Sequence, residues 1–256
     1  MAHRKTWIMV GMSLLACLFV ACGATPTPET IIVEQTVVVD REVTRVVEVE
    51  KEVVVTATPE PPTATPVPRV VFAEDFESPD PGWDLSGDET AERFFDEGRL
   101  HMRVNAAMTM IWSTNSELQS LDDFDLEVDA SQMGGPDGNE YGIMFRFQDA
   151  ENYYLFAISG NGYFDLFCLI EGQAYNVVNW TEVPSVKQGL STNHLRLVAD
   201  GPQISMYVNG ELLAIVPDNT FRRGDIALVA GTFEEGDVEI AFDNLKVTEI
   251  EEGSAP

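Results

Sequence analysis

Four acidic residues occupy alternate positions in one segment of the sequence, Asp123-Phe-Asp-Leu-Glu-Val-Asp129. Because residues two apart point to the same side of a β-strand, we expect these carboxylates to share one face. Retaining glycosidases use two carboxyl groups about 5–5.5 Å apart, one as acid and one as nucleophile. The segment is therefore a candidate catalytic strand, in which an enzyme would use Glu127 and Asp125. The alternative is a solvated acidic face with no catalytic role.

Aromatic residues and one arginine form a second set of candidates, for sugar binding. Sugar sites combine aromatic platforms with a few polar groups. The candidate platforms are Trp112, Trp180, Tyr153 and Tyr175. Arg146 stands between two phenylalanines, so we expect it to face away from them, to share the face of Glu127 and to anchor a hydroxyl or carboxylate. The alternatives are packing for the aromatics and a salt bridge for the arginine.

The elements that would position these residues are strands. From residue 70 onward apolar and polar residues alternate, and no stretch keeps a helical period. Asn209-Gly210 between two apolar runs is the strongest hairpin signal. Residues 70–250 are therefore predicted to form an all-β, antiparallel sandwich. The predicted strands are 99–104, 123–130, 141–147, 153–158, 162–169, 194–199, 204–208, 212–216, 225–230 and 238–247.

Several of these segments carry a resemblance to a known superfamily. The segments are 193–212 with its Val-Asn-Gly hairpin, 221–229, a closing strand at 241–247, and an opening strand at 74–77 with Gly82-Trp83. They resemble laminin-G-like and concanavalin A-like domains, and within that superfamily the 3-keto-disaccharide hydrolase-type domains, over about residues 71–249. The resemblance implies a jelly-roll sandwich. It leaves the function open, because this fold carries lectins, glucanases and adhesion modules.

The resemblance also bears on the acidic strand. Family 16 glycoside hydrolases, to which these domains are similar, place their catalytic acids on one strand as Glu-x-Asp-x-Glu. In this chain Asp123 stands where that pattern has the nucleophilic Glu. Its shorter side chain would misplace the reacting oxygen, and a displacement of about 1 Å can cost roughly a hundredfold in rate. We therefore favour a non-catalytic domain, with Glu127 as the first carboxylate to test.

Calcium is the one metal that the resemblance implies. Domains of this superfamily often bind Ca²⁺ where the first and last strands meet, and Ca²⁺ prefers oxygen ligands. Asp243 matches the aspartate of the closing strand, and Glu74, Asp75 or Glu77 could supply another ligand. The alternative is that these surface acids bind nothing specific. No cofactor is required by the sequence.

Residues 1–21 are typical of a secretory signal peptide, with Arg4 and Lys5 before an uncharged apolar run. The run is too short for a comfortable membrane span. It ends in Ala21-Cys22, which resembles the lipobox of bacterial lipoproteins. The resemblance implies that Cys22 becomes the lipidated first residue of an anchored, exported protein. Cys17 is the alternative, but it would leave an apolar stub after the anchor.

Residues 22–69 are predicted to form an extended stalk. Thr-Pro-rich flanks favour a semi-rigid polyproline-like spacer. A Val/Glu block between them has apolar residues at incomplete heptad spacing, so a short coiled coil that makes oligomers is the minority hypothesis. Residues 251–256 are predicted to be a disordered tail. Cys168 lies in an apolar segment and is predicted to be a buried small hydrophobe.

Charge excludes one class of partner. The chain has 43 acidic residues against 15 Lys and Arg, a net charge of −28, whereas nucleic-acid binding needs clustered cations. The leading interpretation is a lipoprotein anchored to the membrane, facing the extracellular side, with a non-catalytic module that binds extracellular carbohydrate. A glycoside hydrolase-like enzyme acting on a 3-keto-disaccharide or glucan is one alternative. A structural or adhesion module that binds a protein is another.

Overall fold

The computed structural model describes residues 69–250, so the predicted signal peptide, the stalk before Arg69 and the tail 251–256 lie outside the described residues. Within that range no helix is long and apolar enough to cross a membrane. The strands there are β1 (Arg69–Glu74), β2 (Ala91–Asp96), β3 (Arg99–Val104), β4 (Met110–Thr114), β5 (Phe124–Gly134), β6 (Asn139–Asp149), β7 (Asn152–Ile158), β8 (Tyr163–Ile170), β9 (Gln173–Glu182), β10 (Thr192–Asp200), β11 (Gln203–Val208), β12 (Glu211–Pro217), β13 (Asp225–Thr232) and β14 (Val238–Glu249).

Residues 69–250 form two antiparallel sheets that pack as a sandwich, which confirms the predicted fold class. One sheet has the order β12-β11-β10-β5-β14-β3-β2, and β1 also pairs with β14. The other has the order β4-β13-β6-β7-β8-β9. Strand β14 pairs with β5 on one side, and with β3 and then β1 on the other. We call the two layers the eight-stranded and the six-stranded sheet.

Alternation of side chains fills the space between the sheets. In β10 the residues Leu195, Leu197 and Ala199 are fully buried, while the residues between them are partly exposed. Burying one such leucine contributes about 1.5–3 kcal/mol. Cys168 lies in this core, as predicted, and so does Trp83. Burial raises the pKa of the Cys168 thiol to about 12, which makes it a poor nucleophile at neutral pH.

The hairpin predicted at Asn209-Gly210 joins β11 and β12. Both residues have positive φ, 51° and 82°, as a type I′ turn requires. The side chain of Asn209 also donates to the backbone carbonyl of Ser185 and to Oδ1 of Asn193. The turn residue therefore connects the hairpin to the loop that precedes β10.

The expectation that Arg146 shares a face with Glu127 is wrong, since the two residues lie in different sheets. Arg146 has a positive φ of 48° at an irregularity in the β6–β7 pairing, and its side chain is fully buried. Its guanidinium donates to the backbone carbonyls of Phe221 and Gly201, at 3.1 and 2.7 Å. One nitrogen also lies 3.6 Å from a carboxylate oxygen of Asp123. Arg146 therefore joins strands and loops inside the fold and offers no atom to solvent.

We predict that Arg146→Met lowers the stability of the domain by about 3 kcal/mol, because it leaves two buried carbonyls and a carboxylate without their donor. That loss corresponds to a melting temperature lower by about 6–12 °C for a domain of this size. Thermal unfolding followed by circular dichroism measures it. Arg196→Met is the matched control, because Arg196 pairs with Asp125 on the surface and its loss should cost much less. Equal losses for the two variants would contradict the prediction.

Candidate functional site

The six-stranded sheet is apolar on its outer face as well as on its core face. The outward side chains of β7, which include Leu155 and Ala157, are buried. With Met144 of β6 and Ala227 and Val229 of β13 they form a hydrophobic cluster separate from the sandwich core. Partly exposed apolar side chains pack on this cluster and form a surface of the kind that binds a ligand or partner, namely Met110, Trp112, Phe147, Phe167 and Leu169.

Four aromatic rings cross this face in a line, which we call the aromatic row. The ring of Trp112 in β4 lies 6.1 Å from that of Phe147 in β6. Phe147 lies 6.1 Å from Tyr153 in β7, and Tyr153 lies 6.0 Å from Phe167 in β8. Centroid separations below about 7 Å are typical of rings in mutual contact. The row therefore runs across most of the sheet, and Trp112, Phe147 and Phe167 remain partly exposed.

A second aromatic contact encloses a cavity at one end of the same sheet. Trp180 of β9 and Phe233, which follows β13, meet edge to face with centroids 6.1 Å apart, and they are 37% and 36% exposed. Three strands separate β9 from β13, so the sheet must curl strongly there for the rings to meet. The cavity, which we call the end pocket, has a volume of about 230 Å³. Its lining residues are Gly138, Asn139, Ser159, Asn161, Tyr163, Trp180 and Phe233.

Two carboxyl groups, which we call the acid pair, stand on the outer face beside these aromatics. Glu140 in β6 lies opposite Gly231, where a Cβ atom would come within 2.7 Å of its Oε1, so glycine leaves room for the glutamate. Asp165 in β8 lies opposite the irregular part of β9 that contains Trp180. Strand alternation puts both side chains on the side away from the sandwich core.

Asp165 is buried and Glu140 is partly buried, and this changes the protonation of both groups. Asp165 is 3% exposed, and its Oδ1 has no hydrogen-bond partner among residues 69–250. Desolvation, and then the charge of Glu140, raise the pKa of Asp165 to about 8. Desolvation alone raises the pKa of Glu140 to about 7. Raised pKa values of this kind, next to a cavity, mark candidate functional groups.

The structure places three of the five predicted sugar-binding residues in the aromatic row or the end pocket. Trp112 and Tyr153 stand in the aromatic row, and Trp180 lines the end pocket. Arg146 is in the core, and Tyr175 is an exposed residue of β9 outside both. Their roles in binding stay predictions. Sequence reasoning missed the acid pair and Phe233, although an acid inside the apolar run Phe-Asp165-Leu was a usable signal.

The acidic strand predicted as a catalytic candidate lies on the opposite side of the sandwich. Asp125 and Glu127 are in β5 of the eight-stranded sheet. Arg196 of the neighbouring β10 donates twice to Asp125, at 2.6 and 2.8 Å, and lies 3.9 Å from Glu127. His194 of the same strand lies 2.8 Å from Asp129. These acids are thus partnered by Arg196 and His194 of β10, and a catalytic role for Glu127 stays a prediction.

The residues predicted to bind calcium do not form a ready cluster. Among residues 69–250 no three His, Cys, Asp or Glu side chains are grouped so as to hold a metal ion. Asp243 accepts the N–H of Asn244 at 2.7 Å, and Asp75 accepts the N–H of Glu77 at 3.2 Å. This arrangement does not fit a site with several carboxylate ligands, and calcium binding stays a prediction.

Comparison with known sequences identifies the family. A family model described as the 3-keto-alpha-glucoside-1,2-lyase-like domain matches residues 75–248. Since this is more than half of the chain, the chain belongs to that family. No curated protein matches it.

Solved structures with the same fold include both binding modules and enzymes. The carbohydrate-binding module CBM66 from Bacillus subtilis is 21% identical with a TM-score of 0.53, over 66% of this chain and 96% of that one. A β-glucanase from Bacillus licheniformis is 10% identical with a TM-score of 0.54, over 72% and 99%. The catalytic domain of an endo-1,3-β-glucanase from Thermotoga petrophila is 12% identical with a TM-score of 0.51, over 72% and 98%. At these identities the likeness shows the fold alone.

We predict that Asp165→Asn stabilises the domain at high pH. The folded state holds the Asp165 proton up to about pH 8, whereas the unfolded chain releases it near pH 4, so this group lowers stability as the pH rises between those values. Asparagine has no proton to lose. The melting temperature of the Asp165→Asn variant should therefore exceed that of the wild type by several degrees at about pH 8 and match it at about pH 4.

Thermal unfolding of both proteins across this pH range measures the difference. Asp96→Asn, at an exposed carboxyl group that ends β2, is the control and should change little at any pH. A difference in melting temperature between Asp165→Asn and the wild type that does not grow with pH would contradict the raised pKa of Asp165.

Proposed function

We propose that this chain is a carbohydrate-binding protein and that its ligand lies on the outer face of the six-stranded sheet. The observation that carries the proposal is the aromatic row of Trp112, Phe147, Tyr153 and Phe167, which spans most of the sheet. The row lies on the side of the six-stranded sheet that does not pack against the eight-stranded sheet. Sugar rings present C–H faces that stack on such side chains, while polar groups at the edge of the site set orientation.

Polar groups that could set orientation surround the end pocket. Asn139, Ser159 and Asn161 line it together with Trp180 and Phe233. The side-chain amide of Asn139 donates to the side-chain oxygen of Gln132 at 3.0 Å, and the Ser159 hydroxyl donates to the side-chain oxygen of Asn161 at 2.5 Å. Side chains fixed by such bonds lose little conformational entropy when a ligand binds. This supports a pre-formed site in which the row supplies contact area and the end pocket supplies selectivity.

We favour binding without catalysis, with a glycoside-cleaving enzyme as the second candidate. In favour of binding, the acids of β5 are engaged by Arg196 and His194. In favour of an enzyme, the family description names a lyase of 3-keto-α-glucosides. Release of sugar from a 3-keto-α-glucoside or a β-glucan by the purified protein would favour the enzyme. Loss of that release in Glu127→Gln would assign it to β5, and loss in Glu140→Gln to the opposite sheet.

We predict that Trp112→Ala and Trp180→Ala each weaken glycan binding about tenfold or more, since removing a buried aromatic anchor costs about 2 kcal/mol. A glycan array identifies the ligand, and titration calorimetry with that ligand measures the loss. Tyr207→Ala is the matched control. Tyr207 packs against Arg196 on the eight-stranded sheet and should not affect binding. Loss of binding in Tyr207→Ala with both tryptophan variants unaffected would assign the ligand to the other sheet.

We also propose that the protein is an exported lipoprotein that Cys22 anchors to the membrane, with the sandwich on the extracellular side. The support is the sequence Leu-Phe-Val-Ala-Cys22-Gly after an apolar run with a basic start. A tether of Thr-Pro-rich chain would let the ligand face meet glycans away from the membrane surface.

We predict that Cys22→Ala abolishes incorporation of a palmitate analogue and releases the protein from the membrane, because lipidation needs the cysteine sulfur. Metabolic labelling followed by membrane fractionation measures both effects. Cys17→Ala is the control and should keep label and anchor. Label that survives in Cys22→Ala and disappears in Cys17→Ala would move the anchor to Cys17.

A further inference from the structure

The acid pair differs from the other acidic groups inside the fold. Glu74, for comparison, is also buried, but its two oxygens accept the backbone N–H groups of Phe76 and Asp80, at 3.0 and 2.8 Å. Among residues 69–250, no Lys, Arg or His forms an ion pair with Glu140 or Asp165. A buried carboxyl group without a partner is costly, so fold stability does not explain Asp165. Glu140 is partly buried and also has no cation beside it.

Both acids lie next to the end pocket, which is lined in part by Asn139, the neighbour of Glu140 in β6, and by Tyr163, two residues before Asp165 in β8. Glu140 and Asp165 stand two strands apart, which corresponds to roughly 10 Å between their backbones. Between them the sheet carries only small outward residues at the matching positions, Gly142 of β6 and Ala157 of β7. Both of these small residues are buried, so a ligand group would reach the acids from the end pocket.

Trp180 and Phe233 stand beside these two acids. Trp180 belongs to the part of β9 that faces Asp165, and Phe233 is two residues beyond Gly231, the partner of Glu140. The two rings meet each other across the curled sheet and each is more than a third exposed. A group that entered here would meet aromatic rings and two carboxyl groups together.

We propose that the acid pair binds the protonated amine of an amino sugar, so that the outer face of the six-stranded sheet selects basic glycans. This rests on the proposed carbohydrate-binding function and names the class of sugar. An ammonium group has three donors and a positive charge. It supplies the partner that Asp165 Oδ1 lacks, and its charge favours the ionised form of both acids. The faces of Trp180 and Phe233 add a cation–π attraction that a neutral hydroxyl group would not receive.

Two further observations agree with a cationic ligand. The raised pKa values of Glu140 and Asp165 have desolvation as their main cause, and an ammonium group would relieve it. The chain carries a net charge of −28, which raises the local concentration of cationic glycans and disfavours anionic ones. A neutral sugar would gain binding affinity from stacking on the aromatic row but none from the charge of the acid pair.

Titration calorimetry with glucosamine oligomers and N-acetylglucosamine oligomers of equal length tests the proposal, at a pH where the free amines are protonated. We expect the wild type to bind the glucosamine oligomer at least tenfold more tightly. Glu140→Gln and Asp165→Asn should each reduce this preference, and the double variant should abolish it without weakening the binding of the N-acetylated oligomer. Asp129→Asn, an acid of β5 on the other sheet, is the matched control and should keep the preference.

The outcomes separate this proposal from the broader one. Equal affinity for the two oligomers, or a preference that survives in the double variant, overturns the role of the acid pair. Binding of neutral glycans only on a glycan array overturns the amino-sugar proposal and leaves the carbohydrate-binding function standing. No binding to any glycan overturns both. Circular dichroism of each variant shows that it is folded, and we expect the removal of unpartnered buried acids to preserve the fold.

Discussion

The backbone ladder along β14 is the interaction on which the rest of the sandwich depends. This strand pairs with β5 along one edge, and with β3 and β1 in succession along the other, so it joins the earliest and latest parts of the described chain. Its inward residues Ile240, Phe242 and Val247 are fully buried in the core. All other strands of the eight-stranded sheet are placed by this ladder directly or through β5 and β3, and that sheet in turn supports the six-stranded one.

The two sheets use their outer faces in opposite ways. On the eight-stranded sheet, acids and bases stand in adjacent strands and neutralise one another, as Asp125 and Arg196 do. On the six-stranded sheet, aromatic and aliphatic side chains cover the surface, and the acids among them have no cationic partner within residues 69–250. A protein that needed only a stable sandwich could have paired or removed these acids. This asymmetry is the reason for proposing the six-stranded sheet as the functional face.

Sequence patterns predicted ten strands and the sandwich, because one buried and one solvated face impose a period of two. They failed for strands whose sequence does not alternate clearly between apolar and polar residues. Strand β9 is exposed along nearly all of its length, and β4 is short, so neither shows clear alternation. The opening strand was placed at 74–77, whereas β1 ends at Glu74 and Phe76 adopts a positive φ.

The candidate site was harder to predict than the fold. Alternation can tell which residues share a face, and it placed Asp125 with Glu127 correctly. It cannot tell which of two sheets a strand joins, and so Arg146 was assigned to the wrong one. It also cannot show that Trp180 and Phe233 meet, because their contact depends on how far the sheet curls. Long-range geometry of this kind comes from tertiary packing and leaves no local signal.

The position of β1 at the edge of the β14 ladder has a mechanical consequence. Arg69, its first residue, pairs with Glu249 near the end of β14, and an exposed salt bridge links their side chains at 3.1 Å. A pulling force applied through the chain before Arg69 would act on this pair first. It would break the β1–β14 hydrogen bonds one at a time, starting at Arg69. The β3–β14 and β5–β14 pairings would share the force among many hydrogen bonds at once. Strand β1 can thus yield under tension and lengthen the extended chain by several residues before the six-stranded sheet bears the load.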